Sequence, residues 1–177
     1  MQGSENSSLL IYHAVKMGGG TNHRIGLYDA VLLKENHITL AGGIKPALDQ
    51  AHAFAASQMK PRAITSYEAA GTSPTAEELA ALPIQIEVRN EAELREALAA
   101  GAEAILLDNM TPDEARRSVE LARRLRPSCI IEISGGITLD NAWAYAQTGA
   151  DYLSSGALTH SAASADLSLL VDSLQDK

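Results

Sequence analysis

Residues 84–108 read IQIEVRNEAELREALAAGAEAILLD and decide the predicted fold, because they contain one complete strand–helix–strand unit. The apolar run at 84–88 predicts a strand, and residues 104–107 predict the next one. Between them, residues 91–100 predict a helix that ends at Gly101. Two strands joined by a helical crossover of this length are typical of neighbouring parallel strands.

The same alternation continues on both sides of this unit. Upstream, we predict a short helix or strand at 9–17, a strand at 30–33, a helix at 44–58, a strand at 63–65 and a loop insertion at 66–82. Downstream, we predict helices at 112–125, 139–148 and 166–174, and strands at 130–133 and 152–154. The strands are short and without polar alternation, which is typical of burial on both faces of a parallel sheet. The rhythm leaves an incomplete parallel α/β barrel and a doubly wound sheet open.

The composition of the 177-residue chain narrows the class of protein. Hydrophobic residues make up 46% and charged residues 20%, a normal balance for one globular domain. The net charge of −8 argues against nucleic-acid binding, because basic surfaces bind phosphate backbones. The single cysteine, Cys129, excludes a disulfide framework and favours the cytoplasm. No apolar run approaches the roughly 20 residues that span a membrane, and the N-terminus does not resemble a signal peptide.

Polar residues follow nearly every predicted strand at its carboxyl end. They are Lys34, Glu87, Asp108, the turn Ser134-Gly135-Gly136 and the turn Ser155-Gly156. In a parallel α/β barrel these ends meet at one mouth, where substrates bind. Glycine turns at two successive strand ends, the first opening a helix and the second followed by His160, are typical of a phosphate-binding site.

The charged residues among them indicate an acidic, phosphorylated ligand. Glu87 and Asp108 at neighbouring strand ends are suited to holding Mg²⁺ beside a pyrophosphate or to stabilising positive charge on a sugar. Arg24, next to His23, is suited to binding a carboxylate, and Lys34 adds a second cation. Glu132 lies inside a predicted strand, so we expect it to have a polar partner and to support the site from behind.

Residues 18–38, GGGTNHRIGLYDAVLLKENHI, resemble the signature of quinolinate phosphoribosyltransferases. The resemblance continues through IEVRNEAEL, AILLDNMTP, IEISGGITLDN and DYLSSGALTHS, and it covers the chain from about residue 14 onward. It implies an irregular segment at 1–13 and an incomplete TIM-like barrel at 14–177, without the α/β sandwich domain that precedes the barrel in the family. It also implies transfer of phosphoribose from phosphoribosyl pyrophosphate to quinolinate with decarboxylation, in NAD synthesis.

The resemblance also implies roles for individual residues. His23, Arg24 and Lys34 bind quinolinate, while Glu87 and Asp108 bind the ribose and the Mg²⁺-pyrophosphate. The phosphate of the phosphoribosyl group is held by the remaining residues, which are Ser134, Gly135, Gly136, Gly156 and His160. Lys34, Glu87 and Asp108 form the catalytic set, Mg²⁺ is the expected cofactor, and a homo-oligomer of two or more copies is the expected assembly.

The chain also departs from the family pattern. An Asp-Thr-Arg-Lys-Thr strand precedes the glycine run in the family, whereas MQGSENSSLLIY precedes it here, so cations that bind the substrates are missing. We therefore expect weak or absent turnover by this chain alone. Two alternatives remain open at this point: a paralogous pyrophosphorylase associated with molybdate transport, and a non-catalytic phosphate-binding remnant.

Overall fold

The computed structural model describes residues 12–24, 30–57 and 83–161, together with Asp166, Ser168 and Leu169. The predicted strand at 63–65 and the predicted loop insertion at 66–82 lie outside these residues. A closing helix was predicted at 166–174. Only Asp166, Ser168 and Leu169 of that range are described, and none of them is helical.

Helices and strands alternate through the described ranges. Residues 12–17 are helical (α1), and the following elements are β1 (Val31–Leu33), α2 (Glu35–Ala41), α3 (Ile44–Ser57), β2 (Ile84–Val88), α4 (Glu91–Ala99), β3 (Ala104–Asp108), α5 (Pro112–Leu125), β4 (Ile130–Ser134), α6 (Leu139–Ala146), β5 (Tyr152–Ser154) and α7 (Ala157–His160). The predicted elements from 30 to 154 in these ranges are confirmed to within two residues at each end, apart from α2, which the sequence did not predict. Of the short helix or strand predicted at 9–17, residues 12–17 are described and are helical. The helix α7 was not predicted either.

The five strands form one parallel sheet in the order β1-β2-β3-β4-β5. Each strand therefore lies beside the next strand along the chain. A doubly wound sheet would reverse its strand order at a switch point, and these five strands show no such reversal. The five strands form part of the wall of an α/β barrel, and the doubly wound alternative is wrong for the described strands.

The two faces of the sheet differ in character. Its outer face carries Ile86, Ile105, Leu107, Ile131 and Ile133, which share one buried cluster with side chains from the surrounding helices. Full burial of each such side chain contributes roughly 1.5–3 kcal/mol. The other face carries polar residues as well, so the prediction that both faces are apolar is wrong for β2, whose burial alternates along the strand.

The start of α5 fixes where the chain leaves the end of β3. Thr111 accepts a hydrogen bond from the backbone N–H of Glu114, and the Glu114 carboxylate accepts one from the backbone N–H of Thr111 at 2.8 Å. Pro112 occupies the first turn, where its missing N–H costs nothing. The hydrogen bonds from Thr111 lower the pKa of Glu114, which keeps the cap charged. The two reciprocal hydrogen bonds between Thr111 and Glu114 form a capping box.

At the opposite end of the strands, one ion pair ties three elements together. Asp151 Oδ2 accepts hydrogen bonds from Arg123 and from the backbone N–H of Ile131, both at 2.7 Å. Arg123 also donates to the Cys129 carbonyl at 2.6 Å. Burial alone would raise the pKa of Asp151, but the hydrogen bonds from Arg123 and Ile131 and the charge of Arg123 leave it below its ordinary value.

We expect Arg123→Met to lower the unfolding free energy at pH 7 by about 1–2 kcal/mol, because it removes hydrogen bonds to a carboxylate and a carbonyl. The value is kept modest because the Arg123 and Asp151 side chains are 31% and 39% exposed and solvent screens the pair. Since the folded-state pKa of Asp151 is depressed, its contribution is present above the unfolded pKa of about 3.9 and is lost as the pH falls through the folded pKa.

The measurement is urea unfolding followed by circular dichroism at pH 7 and at about pH 3. Wild type and Arg123→Met should differ most at pH 7 and converge in acid. The exposed neighbour Arg124 supplies the matched control Arg124→Met, which should leave the unfolding free energy nearly unchanged. An equal loss in both variants would show that the Arg123–Asp151 contact contributes nothing specific.

None of the helices in the described ranges combines the length and the apolar character needed to cross a membrane.

Candidate active site at the carboxyl ends of the strands

The predicted site residues lie along one edge of the sheet. Lys34 follows β1, Glu87 lies next to the end of β2, and Asp108 and Ser134 end β3 and β4. Asp108, Ser134 and Ser154 are register partners, so their side chains lie side by side on the inner face. Lys34, Glu87, Asp108 and Ser134 thus lie at the ends of four successive strands along the same edge of the sheet.

Lys34 and Glu87 form a direct ion pair across β1 and β2. The Lys34 Nζ atom lies 3.1 Å from Glu87 Oε2, with the two side chains 53% and 11% exposed. The adjacent residues form a second pair, in which Arg89 lies 2.6 Å from Glu35 Oε2. The hydrogen bonds that Arg89 donates to the Glu35 and Glu93 carboxylates raise its pKa above the ordinary value. The mouth of the sheet is thus lined by alternating charges that hold the start of α2 against the end of β2.

A tight backbone joint connects the end of β3 to the turn after β4. Asn109 has a positive φ of 54°, and its side chain donates to Asp108 Oδ2 at 2.8 Å. Its backbone N–H donates to the Ser134 carbonyl at 2.9 Å. Gly135, at φ +100°, packs so closely that a Cβ there would lie 2.3 Å from Asn109 Oδ1. Only glycine fits this position, so the joint fixes the Asp108 carboxylate relative to the glycine turn.

The glycine turn leads directly into α6. Gly136 has a φ of +63°, and its carbonyl accepts a hydrogen bond from the Asn141 side chain at 2.9 Å. The other atom of that amide, Asn141 Oδ1, accepts the Thr138 backbone N–H at 2.8 Å. The turn and the first turn of α6 are therefore fixed by one side chain. A turn held open in this way, ahead of a helix N-terminus, can present backbone N–H groups to a phosphate.

A cavity of about 680 Å³ lies between the N-terminal segment and the strand β5. Its lining consists of Tyr12, Val15, Thr21, Asn22, His23, Glu132, Ser134, Asp151, Tyr152, Leu153, Ser154, Ser155, Gly156, Leu158 and Thr159. Three predicted site residues are among them: His23, Ser134 and Gly156. Glu132 and Ser155, also singled out in the sequence, border it as well. The single shared pocket implied by the sequence is only partly formed, because the remaining predicted residues do not border this cavity: Arg24, Lys34, Glu87, Asp108, Gly135, Gly136 and His160.

Arg24 and His160 illustrate that difference. The Arg24 guanidinium donates to the Ala30 carbonyl at 3.2 Å, which turns it toward the start of β1. His160 lies in α7 close to Gly156, where an added Cβ would come within 3.2 Å of its Nε2 atom. Its Nδ1 atom lies 2.7 Å from the Ser161 hydroxyl. His160 thus accompanies the last glycine turn, as predicted, while Arg24 is engaged with the backbone.

Glu132 is the one buried charged side chain in the part of the chain that the structure describes. Its Oε2 atom accepts a hydrogen bond from the Gln85 amide at 2.7 Å, and its Oε1 atom accepts one from the Ser154 hydroxyl. His23 Nε2 faces the same Oε1 atom at 3.7 Å. The sequence predicted that Glu132 has a polar partner, which is confirmed, but it did not identify Gln85 or Ser154. Two-residue spacing from Ser134 was the signal that Glu132 shares the inner face.

Within the described ranges, no group of three or more His, Cys, Asp and Glu side chains is arranged to hold a metal ion. Glu87 and Asp108 nevertheless supply two carboxylates from neighbouring strands on the same face. Mg²⁺ is commonly bound by one or two carboxylates together with substrate phosphates and water. The donor set therefore fits a Mg²⁺ ion that is completed by a phosphorylated substrate.

Sequence comparison places these features in a known context. A family model described as quinolinate phosphoribosyl transferase, C-terminal domain, matches residues 6–69 and 62–170. The chain is 38% identical to a probable carboxylating nicotinate-nucleotide pyrophosphorylase of Bacillus subtilis, covering 91% of this chain and 47% of that protein. It is 36% identical to the carboxylating enzyme of Mycobacterium leprae, covering 89% and 47%. The chain thus spans about half the length of the curated relatives that it matches.

Structural comparison agrees. The solved structure of the nicotinate-nucleotide pyrophosphorylase from Francisella tularensis superposes with a TM-score of 0.67 at 36% identity, covering 86% of this chain and 45% of that one. These relatives are named as carboxylating nicotinate-nucleotide pyrophosphorylases, so the alternative associated with molybdate transport is not favoured. The chain belongs to the quinolinate phosphoribosyl transferase family, and it matches the C-terminal domain of that family.

Proposed function

We propose that this chain forms the catalytic barrel of a carboxylating nicotinate-nucleotide pyrophosphorylase, a cytoplasmic pentosyltransferase of NAD synthesis. The reaction joins quinolinate to phosphoribosyl pyrophosphate and gives nicotinate mononucleotide, pyrophosphate and CO₂. The observation that carries the proposal is the row of strand ends that sets Lys34 against Glu87 and places Asp108 beside the Ser134 turn. Cations for a diacid and carboxylates for a sugar pyrophosphate thereby meet at one edge.

Quinolinate binds to the cationic side of this edge. Lys34 has a half-exposed ammonium at the mouth and binds one carboxylate. His23 lines the cavity and adds a second donor. Arg24 completes the subsite by exchanging its contact with the Ala30 carbonyl for a bidentate contact with a carboxylate. Two anchored carboxylates fix the direction of the pyridine nitrogen, which reduces the entropy cost of reaction.

Phosphoribosyl pyrophosphate binds to the other side. Glu87 and Asp108 face the ribose, and they would hold a Mg²⁺ ion beside the pyrophosphate, where the ion would supply positive charge for the leaving group. The 5-phosphate is held at the two glycine turns, by Ser134, Gly135, Gly136, Gly156 and His160. The joint between Asn109 and Gly135 holds the Asp108 carboxylate and the first phosphate turn at a fixed spacing.

The chemistry needs binding and electrostatics rather than a protein nucleophile. The bond between the sugar C1 and the pyrophosphate oxygen breaks, and pyrophosphate leaves with the electron pair. Glu87 and Asp108 stabilise the positive charge that develops on the sugar, and the pyridine nitrogen attacks C1. The alkylated nitrogen is cationic and stabilises the electron pair that remains on the ring when CO₂ departs. A proton then replaces the lost carboxylate.

Thermal unfolding in the presence of ligands tests this proposal. Quinolinate at roughly 100 times its Kd should raise the Tm by about 4 °C or more, because a ligand that binds only the folded state stabilises it. Nicotinate, which lacks one carboxylate, is the matched control and should protect far less. Phosphoribosyl pyrophosphate with Mg²⁺ should protect as well. Equal protection by quinolinate and nicotinate, or none by either, would contradict the assignment.

Turnover and assembly complete the test. We expect this chain alone to produce nicotinate mononucleotide weakly or not at all, because the described residues offer few cations to the substrates. Robust product formation by the purified chain would contradict that expectation. We also expect a homo-oligomer of two or more copies, which sedimentation velocity can measure.

A further inference from the structure

The buried Glu132 carboxylate is not among the residues that bind substrate in the proposed function. It is 8% exposed, and both of its oxygen atoms have hydrogen-bond donors, from Gln85 and Ser154. Its neighbours in register are Leu106 on β3 and Tyr152 on β5, both largely apolar side chains. A leucine at this position would pack beside Leu106 and Tyr152 without the cost of burying a charge.

Stability alone does not account for such a residue. Replacing a buried polar or ionic network by apolar side chains of similar size is often neutral or stabilising. A buried charge at the wall of a cavity is instead a feature of functional sites. Glu132 lines the 680 Å³ cavity together with His23, whose Nε2 atom lies 3.7 Å from Glu132 Oε1. The carboxylate is therefore held still by two donors while one oxygen faces a side chain proposed to bind substrate.

We propose that Glu132 is a positioning residue for the diacid subsite, which orients the His23 ring through the oxygen that Ser154 holds in place. The inference rests on the function proposed above. Glu132 does not touch quinolinate itself, since a carboxylate beside a dianion repels it. Its effect on binding must pass through His23, and this requirement separates it from a direct contact or a purely structural role.

A double-mutant cycle measures that dependence. Glu132→Gln should weaken quinolinate binding about fivefold to tenfold by calorimetry, a typical coupling for residues in contact. In the His23→Ala background the same change should instead tighten quinolinate binding, because it removes a negative charge that repels the dianion. A loss of affinity that is equally large in both backgrounds would overturn the inference.

Two readouts separate positioning from folding and from the proposed function. The Tm of Glu132→Gln should stay level or rise, so a fall in Tm that parallels the affinity loss would overturn the inference. Without ligand, the His23 ring signals in NMR spectra should shift in Glu132→Gln and stay unchanged in the control Asp108→Asn. Unchanged His23 signals would overturn the inference, whereas a shift combined with no quinolinate binding by wild type would overturn the proposed function instead.

If Glu132→Gln does not fold, Glu132→Asp takes its place. It keeps the charge but withdraws it by one methylene group from His23 Nε2. The expected loss of quinolinate affinity is about twofold to threefold, and it should again vanish in the His23→Ala background. Persistence of the loss without His23 would overturn the inference.

Discussion

Gly135→Ala is expected to destabilise the protein by about 3 kcal/mol or more, the largest effect of any single methyl group at this site. The new Cβ would lie 2.3 Å from Asn109 Oδ1 and 2.8 Å from the Asn109 backbone nitrogen. The side-chain amide can rotate away, but the backbone nitrogen cannot, because it donates to the Ser134 carbonyl at 2.9 Å. Alanine at φ +100° adds conformational strain to this clash.

Gly136→Ala is the matched control, because the two glycines are adjacent and both have a positive φ. At Gly136 nothing lies within 4 Å of an added Cβ, so only the left-handed conformation costs energy, about 1–2 kcal/mol. Urea unfolding followed by circular dichroism gives both free energies. Similar values for the two variants would show that the close approach of Gly135 to Asn109 is not maintained in solution.

The same joint shows what sequence reasoning could and could not predict. The motif Ser134-Gly135-Gly136 identified a turn at a strand end, since glycine in pairs rarely has another use there. Nothing in the sequence indicates that Gly135 packs against Asn109, because that contact depends on how β3 and β4 align. Local sequence patterns locate the turn, whereas the alignment of β3 and β4 determines which residue packs against it.

The helix α2 shows a second limit. Its residues, 35–41, lack a clear apolar stripe, and no residue of α2 is fully buried, so periodicity could not predict a helix there. The helix begins because His37 Nδ1 accepts the Lys34 backbone N–H at 3.0 Å, and it ends at Gly42 with a φ of 85°. These two caps fix where α2 begins and ends. The helix in turn holds Lys34 and Glu35 at the mouth of the sheet, beside β2.

The Lys34–Glu87 pair, by contrast, could be predicted to the level of proximity. Both residues stand at strand ends, and strands in consecutive order bring consecutive ends together. The direction of the Arg24 side chain and the hydrogen-bond partners of Glu132 could not be predicted in this way. The direction of Arg24 depends on its hydrogen bond to the Ala30 carbonyl, and the partners of Glu132 come from two other strands.

Removing the Lys34–Glu87 ion pair should have opposite effects on quinolinate binding and on turnover. In the ligand-free protein, Glu87 holds the ammonium group of Lys34 at 3.1 Å. Quinolinate must compete with Glu87 for this cation, and it must also approach the Glu87 charge. Glu87→Gln should therefore tighten quinolinate binding by about twofold to fivefold, since a partly exposed ion pair contributes up to about 1 kcal/mol.

The same change should abolish most of the transfer reaction in any form of the protein that turns over. Glu87 is proposed to stabilise positive charge on the sugar, and the loss of one such group costs roughly 100-fold to 1,000-fold in kcat. Tighter binding together with slower turnover separates a competing counter-ion from a residue that merely maintains the fold. A structural role would weaken both.

Asp108→Asn is the matched control for Glu87→Gln. Asp108 has the same charge and lies at the next strand end, but its Oδ2 atom is bonded to Asn109 rather than to Lys34. This variant should lose turnover to a similar degree and gain much less affinity for quinolinate by calorimetry. If both variants bind quinolinate equally, the effect comes from net charge alone. In that case, the pairing of Lys34 with Glu87 does not regulate access to the diacid subsite.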